Sequence, residues 1–291
     1  MEKNQLSKKA NLLHLSSLKL AERMRNGNFK SLYHGRGIEF SGVREYLPDD
    51  DVRSIDWNVT ARMGKPFVKI FEEEHELDIF LVIDKSVSMS NGTGLQSRLE
   101  AAIECASLLT LASLHNNCPV GAVTFDGKIN FFCEPKAGRN HAMLVLSKIE
   151  KEFDKKTNGS ALNNALQGAE KILKKSSLIM ILSDFRTTGW EKPFSHLCKK
   201  NDVIAVRIQD PLDEALPLVG SVPFVDPETH FHITLPTFSS KFANAWKRDN
   251  DMRLRRWEEE VIRHGGIPLI LNTSNEPASQ LIKFFSIREK S

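Results

Sequence analysis

Cysteine is scarce in this chain, and the few present follow no ligand pattern. Four occur in 291 residues, Cys105, Cys118, Cys133 and Cys198, with no CxxC pair and each in or beside an apolar segment. A zinc site wants close ligand pairs, so reduced, mostly buried thiols are expected. Long apolar runs are missing too. No stretch approaches the roughly 20 residues that cross a bilayer, and "MEKNQLSKKA" is charged where a secretion signal carries its apolar core. The expectation is a cytoplasmic protein. Walker A, GxGxxG and GxSxG motifs are absent, which removes the common nucleotide-binding loops and the serine-hydrolase elbow. There is no internal repeat or low-complexity tract, and a net charge of +3 is too small to argue for nucleic acid.

What remains, at 41% hydrophobic and 26% charged residues, is the composition of an ordinary globular protein. Its charge is uneven. Residues 1 to 36 hold Lys3, Lys8, Lys9, Lys19, Arg23, Arg25, Lys30 and Arg36 against Glu2 and Glu22. This segment suits either an acidic partner or membrane surface, or it is a solvated helix face. Leu6, Ala10, Leu13, Leu20 and Met24 recur at helical spacing and predict an amphipathic helix over 5 to 25 whose apolar face needs a cover. "GRGIEF" and "FVKIFEEE" read as short strands around a turn-rich, charged stretch. In that stretch Arg44, Asp50, Asp51, Arg53, Asp56, Trp57 and Arg62 admit two readings. One is a buried or half-buried ion-pair network, with Ile55 and Trp57 packed by a short helical turn; the other is a binding surface.

From Asp78 onward strands and helices alternate. Strands are expected at 78 to 83, 119 to 125, 128 to 133, 178 to 183, 203 to 208 and 267 to 271. Helices are expected at 97 to 115, 139 to 153, 160 to 175, 192 to 199, 238 to 263 and 276 to 287. Continuous apolar strands between amphipathic helices predict an α/β fold with a doubly wound, mainly parallel sheet covered on both faces. The "DG" between 119 to 125 and 128 to 133 predicts an antiparallel edge hairpin, and "VPFVDPETHFHITL" predicts another. The expected division is an N-terminal element, 1 to 76, and a sheet domain, 77 to 291.

In such sheets ligands bind at the carboxyl ends of the strands. "LDIFLVIDKSVSMS" ends its apolar run at Asp84 and then places Ser86 and Ser88 on a loop, where the Ser86 hydroxyl is expected to be exposed. "LIMILSDF" ends in Asp184, and "TNGSAL" places Ser160 at a turn entering a helix. Helix caps and a strand terminator account for each residue singly. Together they are an oxygen-only set, suited to a hard divalent cation such as magnesium rather than zinc or copper. His230 and His232 would share a strand face, with no third ligand nearby in sequence.

"DKSVSM", "TNGSAL" and "LSDF" resemble the metal-ion-dependent adhesion site, or MIDAS, of von Willebrand factor type A domains. "GRGIEFSGVREYLPDDDVRSIDWNVTARMGKPFVKIFEEE" resembles the signature of the bacterial family called domain of unknown function 58 (DUF 58). The resemblance implies a von Willebrand factor type A-like, Rossmann-like domain. It implies a Mg2+ or Mn2+ ion held by Asp84, Ser86, Ser88, Ser160 and Asp184, and a partner protein that supplies an Asp or Glu. It further implies a MoxR-type AAA+ ATPase or other von Willebrand type A proteins as partners, in an assembly, chaperone or envelope role, and no catalysis. The chain departs from the usual pattern at Asn158, where glycine is common, at Ser160, where threonine is usual, and at Asp49, before the paired aspartates. The competing reading is a magnesium-dependent phosphohydrolase with Asp84 as phosphoryl acceptor. That chemistry wants a second aspartate two residues on, where Ser86 stands.

Overall fold

The computed structural model describes residues 13–24, 37–74, 77–93, 96–151, 159–216, 220–225 and 232–288. Two compact units result: Leu32–Glu76, and Met1–Ser31 together with Leu77–Ser291. The first helix, α1 (residues 13–24), therefore groups with the sheet and not with the segment that follows it.

In the smaller unit β1 (Gly37–Glu45) pairs antiparallel with β2 (Phe67–Glu74), and α2 (Trp57–Met63) lies between them in sequence. Of the expected buried or half-buried ion-pair network, one Arg–carboxylate fork forms among the described residues, on the half-buried Asp50. Arg44, itself exposed, grips Asp50 through two hydrogen bonds of 2.6 and 2.5 Å. This grip holds the Asp50 carboxyl below its ordinary pKa. Asp51 accepts from Arg53 N, and Asp56 accepts from Asn58 N and Val59 N, so both carboxylates cap helical turns. Trp57 is 67% exposed and does not pack as expected. The charge density read as a network is mostly local capping chemistry, which sequence spacing does not separate from long-range pairing.

In the larger unit six strands form one sheet: β3 (Asp78–Asp84), β4 (Val120–Phe125), β5 (Ile129–Lys136), β6 (Ser177–Ser183), β7 (Asp202–Gln209) and β10 (Ile267–Asn272). Their order is β10-β7-β6-β3-β4-β5, parallel throughout except for β5 at the edge. β4 and β6 are buried along their whole lengths, as apolar runs flanked by helices on both faces require. On one face Phe80, Val82, Ile179 and Ile181 pack with α5 (Leu162–Ile172), α6 (Glu191–Cys198) and Trp257 of α8 (Ser240–Arg263). The alternate residues Ile79, Leu81 and Ile83 are buried on the other face, where α3 (Arg98–His115) lies against β3 and α9 (Pro277–Arg288). A capping box between Ser97 and Glu100 starts α3.

The cover for α1 is the C-terminal end of α3. Asn116 Nδ2 donates to Ala21 O at 2.8 Å, Ser17 Oγ lies 3.3 Å from His115 Nε2, and Leu20 and Met24 are buried. Leu6 and Ala10 lie outside the described residues. The two hairpins form as β4–β5 and as β8 (Ser221–Val225) with β9 (His232–Pro236). α4 (Arg139–Glu150) stops earlier than expected because Lys151 is extended, and the very short α7 (Pro211–Glu214) follows β7. α5 begins at Leu162, two residues past Ser160. No disulfide joins the four cysteines, of which Cys105 is fully buried and the others half-buried. His232 is exposed, and His230 lies outside the described residues.

Gly121 sits where β4 and β5 bulge between Val120 and Ala122. A Cβ there would stand 2.6 Å from Pro135 N and 2.8 Å from Cys133 O, both backbone atoms that cannot rotate away. Gly121→Ala is therefore expected to lower stability by roughly 1–3 kcal/mol in urea unfolding, whereas Gly168→Ala, with open space around it, should cost nothing measurable.

Candidate functional site

The strand order locates the site before any side chain does. From β3 the chain runs to β4 and β5 on one side and then to β6, β7 and β10 on the other, so the winding reverses between β3 and β6. A doubly wound sheet opens a crevice at such a reversal, at the strands' carboxyl ends. Asp84 is the last residue of β3 and Asp184 follows β6, so the two carboxylates flank that crevice.

Short local devices shape the loops that carry these groups. Asp84 is 1% exposed; its Oδ1 accepts from Ser86 N at 2.9 Å and its Oδ2 from Ser183 Oγ at 2.6 Å. Ser183 Oγ in turn accepts from Phe185 N at 3.1 Å, which shapes the turn carrying Asp184. Ser86 is buried, contrary to the exposed hydroxyl expected from a loop, because the chain tightens into the 3-10 turn Val87–Ser90. Its Oγ lies 3.1 Å from Ser88 Oγ and also bonds the Asp84 carboxylate. Ser160 stands before α5 after Gly159, whose φ of 88° turns the backbone left-handed. The next residue ties this loop to the sheet: Ala161 N donates to Asp126 O, just beyond β4, at 2.7 Å.

The capping explanation fails for both hydroxyls it was meant to explain. Ser86 is the N-cap of its turn but makes no side-chain cap hydrogen bond, and α5 takes Ala161 as its N-cap. Ser160 Oγ and Asp184 Oδ2 are buried oxygens without a hydrogen-bond partner, although Arg186 Nε lies 3.7 Å from that Asp184 oxygen. Buried polar atoms are rarely left so. Burial, with the neighbouring Asp184 charge second, raises the Asp84 pKa to about 6. The two carboxylates at this crevice, with the Ser86 and Ser88 hydroxyls beside Asp84, are the oxygen type a hard cation accepts. Among the described residues no three His, Cys, Asp or Glu group as a metal cluster, so hydroxyls would have to complete such a set. Asn158 lies outside the described residues.

Sequence reading missed the supports. Ser183, inside the quoted "LSDF", orients Asp84. Asp126 holds the Ser160 loop through its carbonyl. Arg186 reaches Asp213 at 2.5 Å, and Arg98 reaches the same carboxylate at 2.8 Å. A serine directly before the strand-end aspartate was the available signal for Ser183; nothing in the sequence joins Arg98 to Asp213.

A doubly wound α/β domain with an oxygen-lined switch point is thus the class of the larger unit. The chain matches the family model "Protein of unknown function DUF58" over residues 42–254 and belongs to that family, as the upstream signature led one to expect. It is 28% identical over 273 residues to the uncharacterized protein Rv1480 of Mycobacterium tuberculosis, spanning 91% of this chain and 84% of that protein. Among solved structures it is similar to an aerotolerance-related membrane protein from Bacteroides fragilis, at 18% identity and a TM-score of 0.49, over 74% of this chain and 98% of the other. It is similar also to a von Willebrand factor type A protein from Catenulispora acidiphila, at 13% identity and a TM-score of 0.43, over 77% and 44%. No helix among the described residues is long and apolar enough to cross a membrane.

The raised Asp84 pKa gives a test with a definite sign. A carboxyl whose folded pKa lies above its unfolded value adds stability below the unfolded pKa, near 3.8, and loses it as pH rises through about 6. In chelator, Asp84→Asn should therefore stabilise the fold at pH 7.5, by at most about 3 kcal/mol, and the gain should vanish below pH 4. Urea titrations at the two pH values check it; a gain that is independent of pH would refute the assignment.

Proposed function

We propose that this protein is a non-enzymatic, metal-dependent interaction module. Mg2+ or Mn2+ would be held by Asp84, Ser86, Ser88, Ser160 and Asp184. The observation that carries this reading is the pair of buried oxygens that receive no hydrogen bond, Ser160 Oγ and Asp184 Oδ2, together with the buried Asp84 carboxylate. A bound divalent cation would supply positive charge to these oxygens and an open coordination position for one more. A carboxylate from a partner protein is the proposed last ligand, and rigid strand ends keep the crevice formed before the partner arrives. By the sequence resemblance the partner is a MoxR-type AAA+ ATPase or another von Willebrand type A protein, in assembly, chaperone or envelope-stress work in the cytoplasm.

Two features speak against phosphoryl transfer to Asp84. Its oxygens are engaged by Ser86 and Ser183, and Ser86 stands where a general acid would be needed.

Calorimetric titration should find one weak magnesium or manganese site in the wild type and none in the Asp84→Ala, Asp184→Ala double variant; equal uptake by both would sink the site. Ser160→Ala is the sharper probe. Its hydroxyl has no partner to lose, so thermal stability without metal should stay unchanged or rise by about 1 kcal/mol, while metal affinity falls. Pull-downs with wild type, Ser160→Ala and wild type plus chelator should recover the ATPase only in the first case. A phosphate ester hydrolysed by wild type and spared by Asp84→Asn would overturn the non-enzymatic reading.

A further inference from the structure

β7 reads "DVIAVRIQ", and its alternation puts Arg207 on the same face as Val203 and Ala205, which belong to the aromatic core with Phe185, Trp190 and Trp257. A guanidinium thus enters a layer that is otherwise apolar. Its carbon Cζ stands 5.5 Å from the centre of the Trp257 ring, a cation–π contact that partly offsets desolvation. Burial also lowers the Arg207 pKa from its ordinary value. No carboxylate of the described residues comes within ion-pair distance of Arg207 or of Arg256.

Arg207 is the floor of a pocket of about 910 Å3. One wall is a stripe of α8 at helical spacing, Trp246, Asn250, Arg253 and Trp257; the other is the loop that leaves Asp184, including Arg186. Within the stripe Trp257 packs into the core of the sheet beside Val261 and Leu254, while Arg253 is 57% exposed, so the pocket side of α8 is aromatic and polar. Two donors in it are buried without partners, Asn250 Nδ2 and the Nε1 of Trp257, itself only 4% exposed. The lining holds four arginines, Arg186, Arg207, Arg253 and Arg256, against three acids, Glu191, Asp213 and Glu260. Arg186 is taken by Asp213 and Arg253 by Asp249. The residual positive charge is therefore small. It matches one carboxylate, whereas a phosphate of two charges would meet the three acids as well.

We propose that this pocket receives an acidic side chain, flanked by an apolar or aromatic one, from a peptide segment of a partner protein. Arg207 and Arg256 would pair with the carboxylate, and the indole walls would cover its neighbour. The Phe185–Arg186 turn joins the pocket to Asp184, so a segment bound here runs beside the strand-end crevice. This deepens the interaction-module reading and rests on it for the nature of the partner, but needs no metal.

The test uses the full chain. A random heptapeptide display library is panned on it in chelator and in magnesium, and selected peptides are synthesised and titrated by tryptophan fluorescence. Three of the chain's four tryptophans line the pocket, so emission should change on binding. Expected are peptides with Asp or Glu next to an apolar residue, enriched in both conditions. Affinity should fall at least tenfold when that acid becomes Gln or Asn, and comparably in Arg207→Gln. Arg256→Gln, at an exposed position, guards against misfolding of the buried variant and should lose several-fold. A pool without acidic enrichment, or equal binding by both arginine variants, overturns the proposal. So does micromolar binding of tripolyphosphate that no selected peptide displaces, which would give the pocket to a phosphate. Normal metal uptake with no acid-dependent capture sinks the pocket and spares the metal site; acid-dependent capture with no metal uptake does the reverse.

Discussion

The Asp84 carboxylate sits at 1% exposure at the end of a strand covered on both faces, near a second carboxylate, Asp184, just past the end of the neighbouring strand. Taking one charge out of water is costly and taking two out side by side is more so, and burial, with the neighbouring Asp184 charge second, raises the Asp84 pKa to about 6. The surrounding elements can be understood as what keeps this arrangement from relaxing. Ser183 and the Ser86 amide hold both Asp84 oxygens, and the same Ser183 hydroxyl fixes the turn that positions Asp184.

Farther out, a polar lattice ties the loops of the strand-end edge to one another. Arg98 at the start of α3 and Arg186 beyond β6 meet on Asp213 of α7, while Asp210 accepts from the amide and hydroxyl of Thr93 at 2.5 Å each. Loops from β3, β6 and β7 are thereby braced together. Lys85, buried beside Asp84, gives its ammonium to the carbonyls of Ile149 and Lys151, closing the end of α4; burial lowers its pKa to about 8.

The family model begins at residue 42 and so takes in part of the smaller unit. Much of that unit's charged signature proves to be local chemistry. Asp51 and Asp56 cap turns, and Arg44 with Asp50 closes the bend after β1, where Asp50 also accepts from Leu47 N at 2.8 Å. Capping fixes where short helical elements start when there is little core to do it.

By itself the sequence determined the strands and their burial. Runs such as "LIMIL" are stable only between two helical layers, and "DG" after β4 makes a parallel partner impossible at that edge. It also placed Asp84 and Asp184 at the sheet's carboxyl edge, because a carboxylate that ends an apolar strand has few places to go but the sheet's rim. The family, too, could be read from the upstream signature. Tertiary structure alone decided which candidate ligand oxygens are satisfied: Ser86 is buried rather than exposed, and Ser160 is an orphan rather than a cap. It alone put Trp57 in solvent and set Arg207 beneath the indole of Trp257, 50 residues away in the chain. Hydrogen-bond satisfaction and charge pairing depend on distances between segments remote in sequence, and periodicity carries no information about those distances.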